Sequence, residues 1–486
     1  MAAQFEKSRE IAERVWVEGT LGLETPARFG GGEADDLLDM PLLLDSIEKR
    51  ALLTGASIAG ALRNYLRTRE CGDLVLENPG SLCSALFGRT QAAEEGAHSV
   101  LMTHDALSET PSRPRTELRD GVAIDGRTRT AEDKKKFDIE LLAAGTQFKL
   151  RFELFLPDDL TERQRLLQAL AMALQGFERG EIGLGARKRR GFGACRLVGQ
   201  WTMIRYELKQ PLGLVAWLKQ DRTAAQSGSN IATLLLGDLD KTANLDQRRR
   251  FTLRATFALD GSMLIRSGSG DVGSPDAVHL RSGGKPVLSG TSLAGVLRAR
   301  AMRITNTLRP DQTQQNVNLV DGMFGVRIIN QNDRRNLTAS RLIVHETVIR
   351  DCVADRVQQR VKIDRFTGGA YPTGLFSEQP VFGIDQTEVD VHLDLLEAQD
   401  HEVGLLLLLL KDLWTGDLPL GGESSVGRGR LKGKTASLVY SGRGKWVIEP
   451  KPRNLDDPFE GEQLHIPEGA GVLETYVESF ARYVAI

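Results

Sequence analysis

The sequence predicts an α+β protein made by tandem duplication of one unit. Three observations carry that prediction: an eleven-residue motif occurs twice, further matched stretches follow it in the same order, and both halves alternate strand-like and helix-like segments in one pattern. The motif is LTGASIAGALR at Leu53–Arg63 and LSGTSLAGVLR at Leu288–Arg298. LFG (Leu86–Gly88) pairs with MFG (Met323–Gly325), and LMTHDAL (Leu101–Leu107) with LIVHETV (Leu342–Val348). VAID (Val122–Asp125) pairs with VKID (Val361–Asp364), and LGARKRRGFG (Leu184–Gly193) with LGGESSVGRG (Leu420–Gly429). All pairs keep an offset of about 240 positions, whereas chance matches would scatter.

Each copy opens on a strand-like alternation, RVWVEGTLGLET or RRFTLRATFALDG. A loop rich in Gly and Asp leads to the shared motif and a helix, SIAGALRNYLRTRE or SLAGVLRARAMRIT, for which Ser57 and Ser292 are the expected caps. After a variable middle come a second strand (QFKLRFELFLP; EVDVHLDLL) and a second apolar helix (TERQRLLQALAMALQGFE; QDHEVGLLLLLLKDLW). A Gly-rich loop and a last strand close the copy. This order predicts ferredoxin-like α+β units. The expected organisation is a first domain over 1–212, a connector over 213–249, a second domain over 250–440, and a C-terminal extension over 441–486 without counterpart in the first copy.

Composition narrows the function classes. The chain has 486 residues, 41% hydrophobic and 26% charged, enough for ordinary cores in two or more domains. Its net charge of −2 means that a nucleic-acid role would need clustered bases. Cys71, Cys83, Cys195 and Cys352 are too scattered for a zinc site and read as reduced thiols. The N-terminal stretch lacks the apolar core of a signal peptide, and the longest apolar run, Leu405–Leu410, is far too short to span a bilayer. A cytoplasmic protein is expected.

The Gly-rich loops are the most informative sites. In the first, Gly183, Gly185, Gly191 and Gly193 surround Arg187, Lys188, Arg189 and Arg190, so a backbone free to approach a ligand lies beside four bases suited to phosphates. The second keeps Gly421, Gly422, Gly427, Ser424, Ser425 and Arg428 but carries Glu423. Either loop alone could be a tight turn; recurrence in both copies favours binding. The helix entries at Gly55–Ser57 and Gly290–Ser292, with Arg63 and Arg298 further along, are anion sites by geometry and equally well capped helices that pack closely. Gly268-Ser-Gly-Asp-Val-Gly273 fits the dinucleotide pattern, but Pro275 follows instead of a helix. His104 and His345 recur and could act as acid or base; a hydrogen-bonded core role is preferred. The stretches around the two ID pairs read as inserted hairpins, whose bases, with Phe366 and Tyr371, could contact nucleic acid or be solvated.

The motif G-x-S-[IL]-A-G-x-L-R, the charged ID segment and the late Gly-rich loop, taken in order, resemble the RAMP superfamily of CRISPR proteins, over most of the chain. The closest likeness is to the backbone subunit of type III effector complexes, with two copies fused as in the III-D branch. The resemblance implies modified ferredoxin-like (RRM-like) domains with inserted thumb and lid segments. It implies partners as well: CRISPR guide RNA, complementary target RNA, other RAMP subunits and a large signalling subunit. It further implies that a loop Asp supports cleavage of target RNA with Mg²⁺ or another divalent cation, while base pairing selects the sequence. The family's I-D-x-P-[VL] stretch is matched by LLDMPLLLD, which makes the implied catalytic and metal-holding residue Asp39; in the second copy SPDAVHLRSGGKP offers Asp276, with its Pro on the other side. Asp36 and Asp271 stand in reserve. The Lys that the family carries in its helix-entry motif is Ala59 and Ala294 here. Three functions stay open: a target-cutting backbone subunit, a scaffold that binds guide RNA without cutting, and a guide-processing ribonuclease.

Overall fold

Apolar residues at matching periods build each element of the computed structural model, which describes residues 11–30, 42–88, 98–109, 115–125, 128, 130–237, 246–268, 274–326, 338–451 and 464–485. Strand β1 (Glu13–Leu23) buries Val15, Val17 and Leu21. Helix α1 (Gly55–Cys71) turns Ile58, Leu62, Tyr65 and Leu66 inward, the spacing of an amphipathic helix. Helix α2 (Leu82–Phe87) and strand β2 (Leu101–Thr103) follow. A hairpin, β3 (Thr116–Ile124) with β4 (Ala131–Leu142), leads into β5 (Gln147–Leu156), α3 (Leu160–Glu178) and β6 (Cys195–Glu207). Helix α4 (Pro211–Leu218), strand β7 (Gln226–Gly228) and helix α5 (Ile231–Leu236) complete this copy.

The second copy repeats the plan. Strands β8 (Arg250–Asp260), β9 (Arg266–Ser267) and β10 (Ala277–His279) precede α6 (Gly290–Leu308), α7 (Thr313–Phe324) and β11 (Leu342–Val344). The hairpin β12 (Gln358–Ile363) and β13 (Ala370–Gln379) leads to β14 (Val389–Leu396), α8 (Asp400–Trp414) and β15 (Arg430–Tyr440). Strands β16 (Gly444–Pro450) and β17 (Leu464–His465) and helix α9 (Ala470–Ala485) end the chain's described part.

Among the described residues the first sheet runs β2-β5-β1-β6-β7 and the second β11-β14-β8-β15-β16-β17. The first four strands of each order have the ferredoxin-like arrangement, with antiparallel pairing throughout. Tandem duplication of modified ferredoxin-like domains is therefore the architecture. The period-two rule is clearest in β8, where Phe251, Leu253, Ala255, Phe257 and Leu259 are all buried. They pack in one core with Leu293, Leu297 and Ala301 of α6 and the leucines of α8.

The chain forms two compact units: Met1–Leu118, Ile139–Lys188 and Phe192–Arg248 make unit 1; Arg119–Asp138, Arg189–Gly191 and Arg249–Ile486 make unit 2. Most of hairpin β3–β4 and three residues of the first Gly-rich loop thus belong to unit 2.

Three local expectations change. The caps are Thr54, whose side chain accepts from Ser57 N, and Ser289; both helices begin at the glycine, so Ser57 and Ser292 lie inside the first turn. The stretch expected as a connector is ordered where described: β7 pairs with β6, and Ile231 and Leu235 enter the first core. The C-terminal extension has a counterpart there, since β16 pairs with β15 and Leu473, Tyr476 and Phe480 of α9 enter the second core. The likeness is one of packing, not of residue identity, so it leaves no repeated motif in the sequence.

Candidate nucleic-acid interface

The duplicated motif is first a packing device. A Cβ on Gly55 would sit 2.3 Å from Thr103 O, and one on Gly290 2.6 Å from Val344 O, so only glycine lets each helix start against the neighbouring strand. At the start of α1 the backbone N–H of Gly55 donates to Asp105 Oδ1 at 2.6 Å, so the chain's own carboxylate occupies that anion position. Ser57 is exposed there, and its Oγ lies 2.9 Å from Thr54 Oγ1. Arg63 donates to both oxygens of Glu77, at 3.0 and 3.1 Å, and to Gly88 O at 3.0 Å. Arg298 donates to Asp321 Oδ1 and to Gly325 O, the latter at 2.6 Å. Gly88 and Gly325 end α2 and α7, so the LFG and MFG repeats are the helix ends that these arginines hold. The phosphate role expected of Arg63 and Arg298 gives way to this one, because both guanidinium groups are already paired.

The two Gly-rich loops share one backbone. Gly185, Arg187, Gly191 and Gly193 have positive φ, and so have Gly421, Glu423, Gly427 and Gly429 at the matching positions. At Gly193 and Gly429 an added Cβ would lie 1.8 and 1.9 Å from Leu184 O and Leu420 O, so no side chain fits either place. Each loop holds a 3₁₀ turn, Lys188–Arg190 or Ser424–Val426. Gly183 bridges to Ala194 at the base of the first loop.

The side chains diverge. Arg187 and Lys188 are exposed, though partial desolvation of the Arg187 guanidinium, followed by the nearby Arg28, pulls its pKa down. Within unit 2, Arg189 donates to Ser340 O and Arg190 to Phe324 O at 2.7 Å. Burial and the neighbouring Arg298 lower the Arg190 pKa. Arg189 and Arg190, expected on phosphates, are therefore engaged by backbone carbonyls. In the second loop Arg428 is 2% exposed and meets Glu378 at 3.0 Å, Glu423 at 3.2 Å and Gln358 at 2.8 Å. Arg266 and Arg360 reach the same two acids. Burial and the adjacent Glu423 push the Glu378 pKa up; the hydrogen bond with Glu378 and the arginines overcome burial and hold Glu423 down. Arg428 is thus an internal counterion, whereas Gly421, Gly422, Ser424, Ser425 and Gly427, the other binding residues expected in that loop, reach solvent at least partly.

Of the loop aspartates, Asp39, Asp36 and Asp271 lie outside the described residues. Asp276 is exposed, and its Oδ2 accepts from Ser377 N at 2.7 Å and Ser377 Oγ at 3.1 Å, which lowers its pKa. Within unit 2 it lines an open cleft of about 580 Å³ together with Arg266 and Gly268, and with Asp120, Asp133 and Lys136 of hairpin β3–β4. Sequence reasoning missed these hairpin residues, because only folding brings them beside Asp276. At the tip of hairpin β12–β13, Phe366 is fully exposed and Lys362 Nζ stands 4.3 Å from the Tyr371 ring centre. His104 and His345 are half-buried rather than core. Asp105, one place after the first, accepts from Gly55 N at the first helix entry, and Glu346, one place after the second, accepts from Arg119 of β3 through both carboxylate oxygens; the recurring acid after the histidine was the sequence signal for them.

The model of the RAMP superfamily matches residues 20–196 and again 256–432, once in each copy. The chain belongs to this superfamily, as a fusion of two RAMP copies. It is a CRISPR-associated RNA-binding subunit, and RAMP proteins work in ribonucleoprotein complexes with RNA and other subunits. No curated protein matches the chain. Among the described residues no helix is long and apolar enough to cross a membrane.

Proposed function

We propose that the chain is a backbone subunit of a type III CRISPR effector of the III-D kind, which holds guide RNA and cuts complementary target RNA beside a loop aspartate in each copy. The observation that supports it is the repeated pair of Gly-rich loops with one backbone geometry, as a subunit contacting successive stretches of one RNA requires. Exposed Arg187 and Lys188 with the first loop's backbone, and Ser424, Ser425 and the second loop's backbone N–H groups, would hold phosphates. Phe366 and Tyr371 offer faces on which bases can stack.

Of the aspartates implied for the divalent cation, Asp276 is the described one, and Asp120 and Asp133 line the same cleft. Mg²⁺ usually takes one or two carboxylates and completes its shell with substrate phosphates and water, so Asp276 in an open cleft fits that mode. Bound there, the ion would neutralise charge on the phosphate being cut. Ser377 fixes the carboxylate, and Lys136 and Arg266 supply positive charge along the same cleft. The tie to Ser377 equally supports a second reading, in which Asp276 anchors hairpin β12–β13 and the second copy is a scaffold.

The test maps cuts on an end-labelled target RNA with the guide-loaded complex and Mg²⁺. Asp39→Ala and Asp276→Asn should each remove a distinct cut; Asn keeps an acceptor for Ser377, so loss of a cut would not stem from a loosened hairpin. Cuts that persist in both variants would leave the chain a guide-holding scaffold.

A further inference from the structure

The open face of the second sheet carries a cluster that neither RNA binding nor cleavage uses. His392 and Asp394 lie two apart on β14 and therefore on one face. His345, just after β11, is brought beside them because its backbone N–H donates to His392 O. His345 Nε2 is 2.8 Å and His392 Nε2 3.3 Å from the same oxygen, Asp394 Oδ2. The other carboxylate oxygen, Oδ1, accepts from Thr252 Oγ1 at 2.6 Å, which fixes the group's orientation. The three donor atoms lie within 4.8 Å of one another, and the side chains are partly exposed, at 28%, 25% and 16%.

We infer that His345, His392 and Asp394 form a binding site for a transition-metal ion of the Zn²⁺ class, separate from the divalent ion proposed for RNA cleavage. Two imidazole nitrogens and one carboxylate match Zn²⁺, Co²⁺ or Ni²⁺, whereas Mg²⁺ and Ca²⁺ require oxygen donors. Bonds of about 2.0–2.2 Å set tetrahedral donors about 3.3–3.5 Å apart, close to the spacing already present around Asp394. Thr252 supplies the outer-shell hydrogen bond that such sites need. Without metal the rings stack at 3.9 Å and 7°. Binding requires one ring to turn about χ2, a soft torsion, so that both Nε2 lone pairs converge. The cation that opposes the ion is Arg254, whose Nε lies 3.5 Å from His392 Nε2; its side chain is exposed and can swing away. Among its described residues the first copy has no such site. There His104 N bonds Arg151 O, so that Arg151 and Glu153 stand where His392 and Asp394 do.

The experiment titrates the purified full chain with Co²⁺, following the visible d–d bands, and then displaces it with Zn²⁺. One ion per chain is expected, with no competition from excess Mg²⁺. His392→Ala and Asp394→Asn should abolish the bands, and Thr252→Val should weaken affinity about 10–100-fold. Arg254→Gln should tighten it, a gain that misfolding cannot mimic. Absence of a stoichiometric Co²⁺ spectrum in the wild type, bands that survive in both ligand variants, or an Arg254→Gln variant that binds no tighter would each overturn the assignment.

Discussion

Replacing Arg428 with Met tests whether the second Gly-rich loop is built around an ion network or around a phosphate. Arg428 and Glu378 have side chains only 3% and 2% exposed, and Glu423 is 16% exposed. Removing one partner of a buried pair costs about 3–5 kcal/mol, because the other charge stays buried. Here Arg266 and Arg360 still reach Glu423 at 2.8 and 3.1 Å and Glu378 at 3.5 Å each, so the lower end, about 3 kcal/mol, is expected. For a unit of this size that lowers its Tm by about 6–12 °C. Differential scanning calorimetry reads the shift, and hydrogen exchange should place the loosening in hairpin β12–β13 and loop 420–429. The salt dependence of guide-RNA binding should not change. A Tm within 2 °C of wild type, together with weaker RNA binding and a shallower salt slope, would refute this and return Arg428 to the phosphate backbone.

Arg187→Gln and Lys188→Gln should each weaken RNA binding and reduce the log–log salt slope by about 0.7 per lost contact, measured by filter binding at several salt concentrations. Gly193→Ala and Gly429→Ala should open their loops and abolish guide loading from that copy, since a Cβ there meets a backbone carbonyl at 1.8 and 1.9 Å; limited proteolysis at the loop reads the change. His279 is buried, accepts from Ile265 N at Nδ1 and faces Val287 O with Nε2, and burial pushes its pKa down to about 4. Its folded pKa lies below the unfolded value, so its contribution is complete above pH of about 6.5 and is lost as pH falls towards 4. That slope, up to about 1.4 kcal/mol per pH unit in denaturant melts, should vanish in His279→Asn.

Much of the fold was legible in the chain because it rests on local periodicity. The alternation in RRFTLRATFALDG, the helix after each GxS motif and the order of strands and helices all follow from side-chain period, and a duplication doubles that signal. The recurrence of LFG and MFG and of the acid after each histidine was also visible, though not what it was for. The Gly-rich loops were legible as special backbone, since glycines at fixed spacing mark positive φ whatever surrounds them.

Charge could not be read the same way. Nothing in the sequence around Arg63, Arg190, Arg298 and Arg428 shows that they meet carbonyls or carboxylates from other segments of the chain. Whether a guanidinium serves a phosphate or a buried acid depends on what folding places within about 3 Å of it. The packing of Ile231 and Leu235, the cleft beside Asp276 and the pairing of His345 with His392 and Asp394 arise in the same manner. The sequence alone determined two ferredoxin-like copies and the positive-φ backbone of the Gly-rich loops, because backbone propensity and period act over a few residues. Only the tertiary structure decided which arginines hold acids and carbonyls of the chain itself, because electrostatic pairing acts through space between residues that the chain order keeps apart.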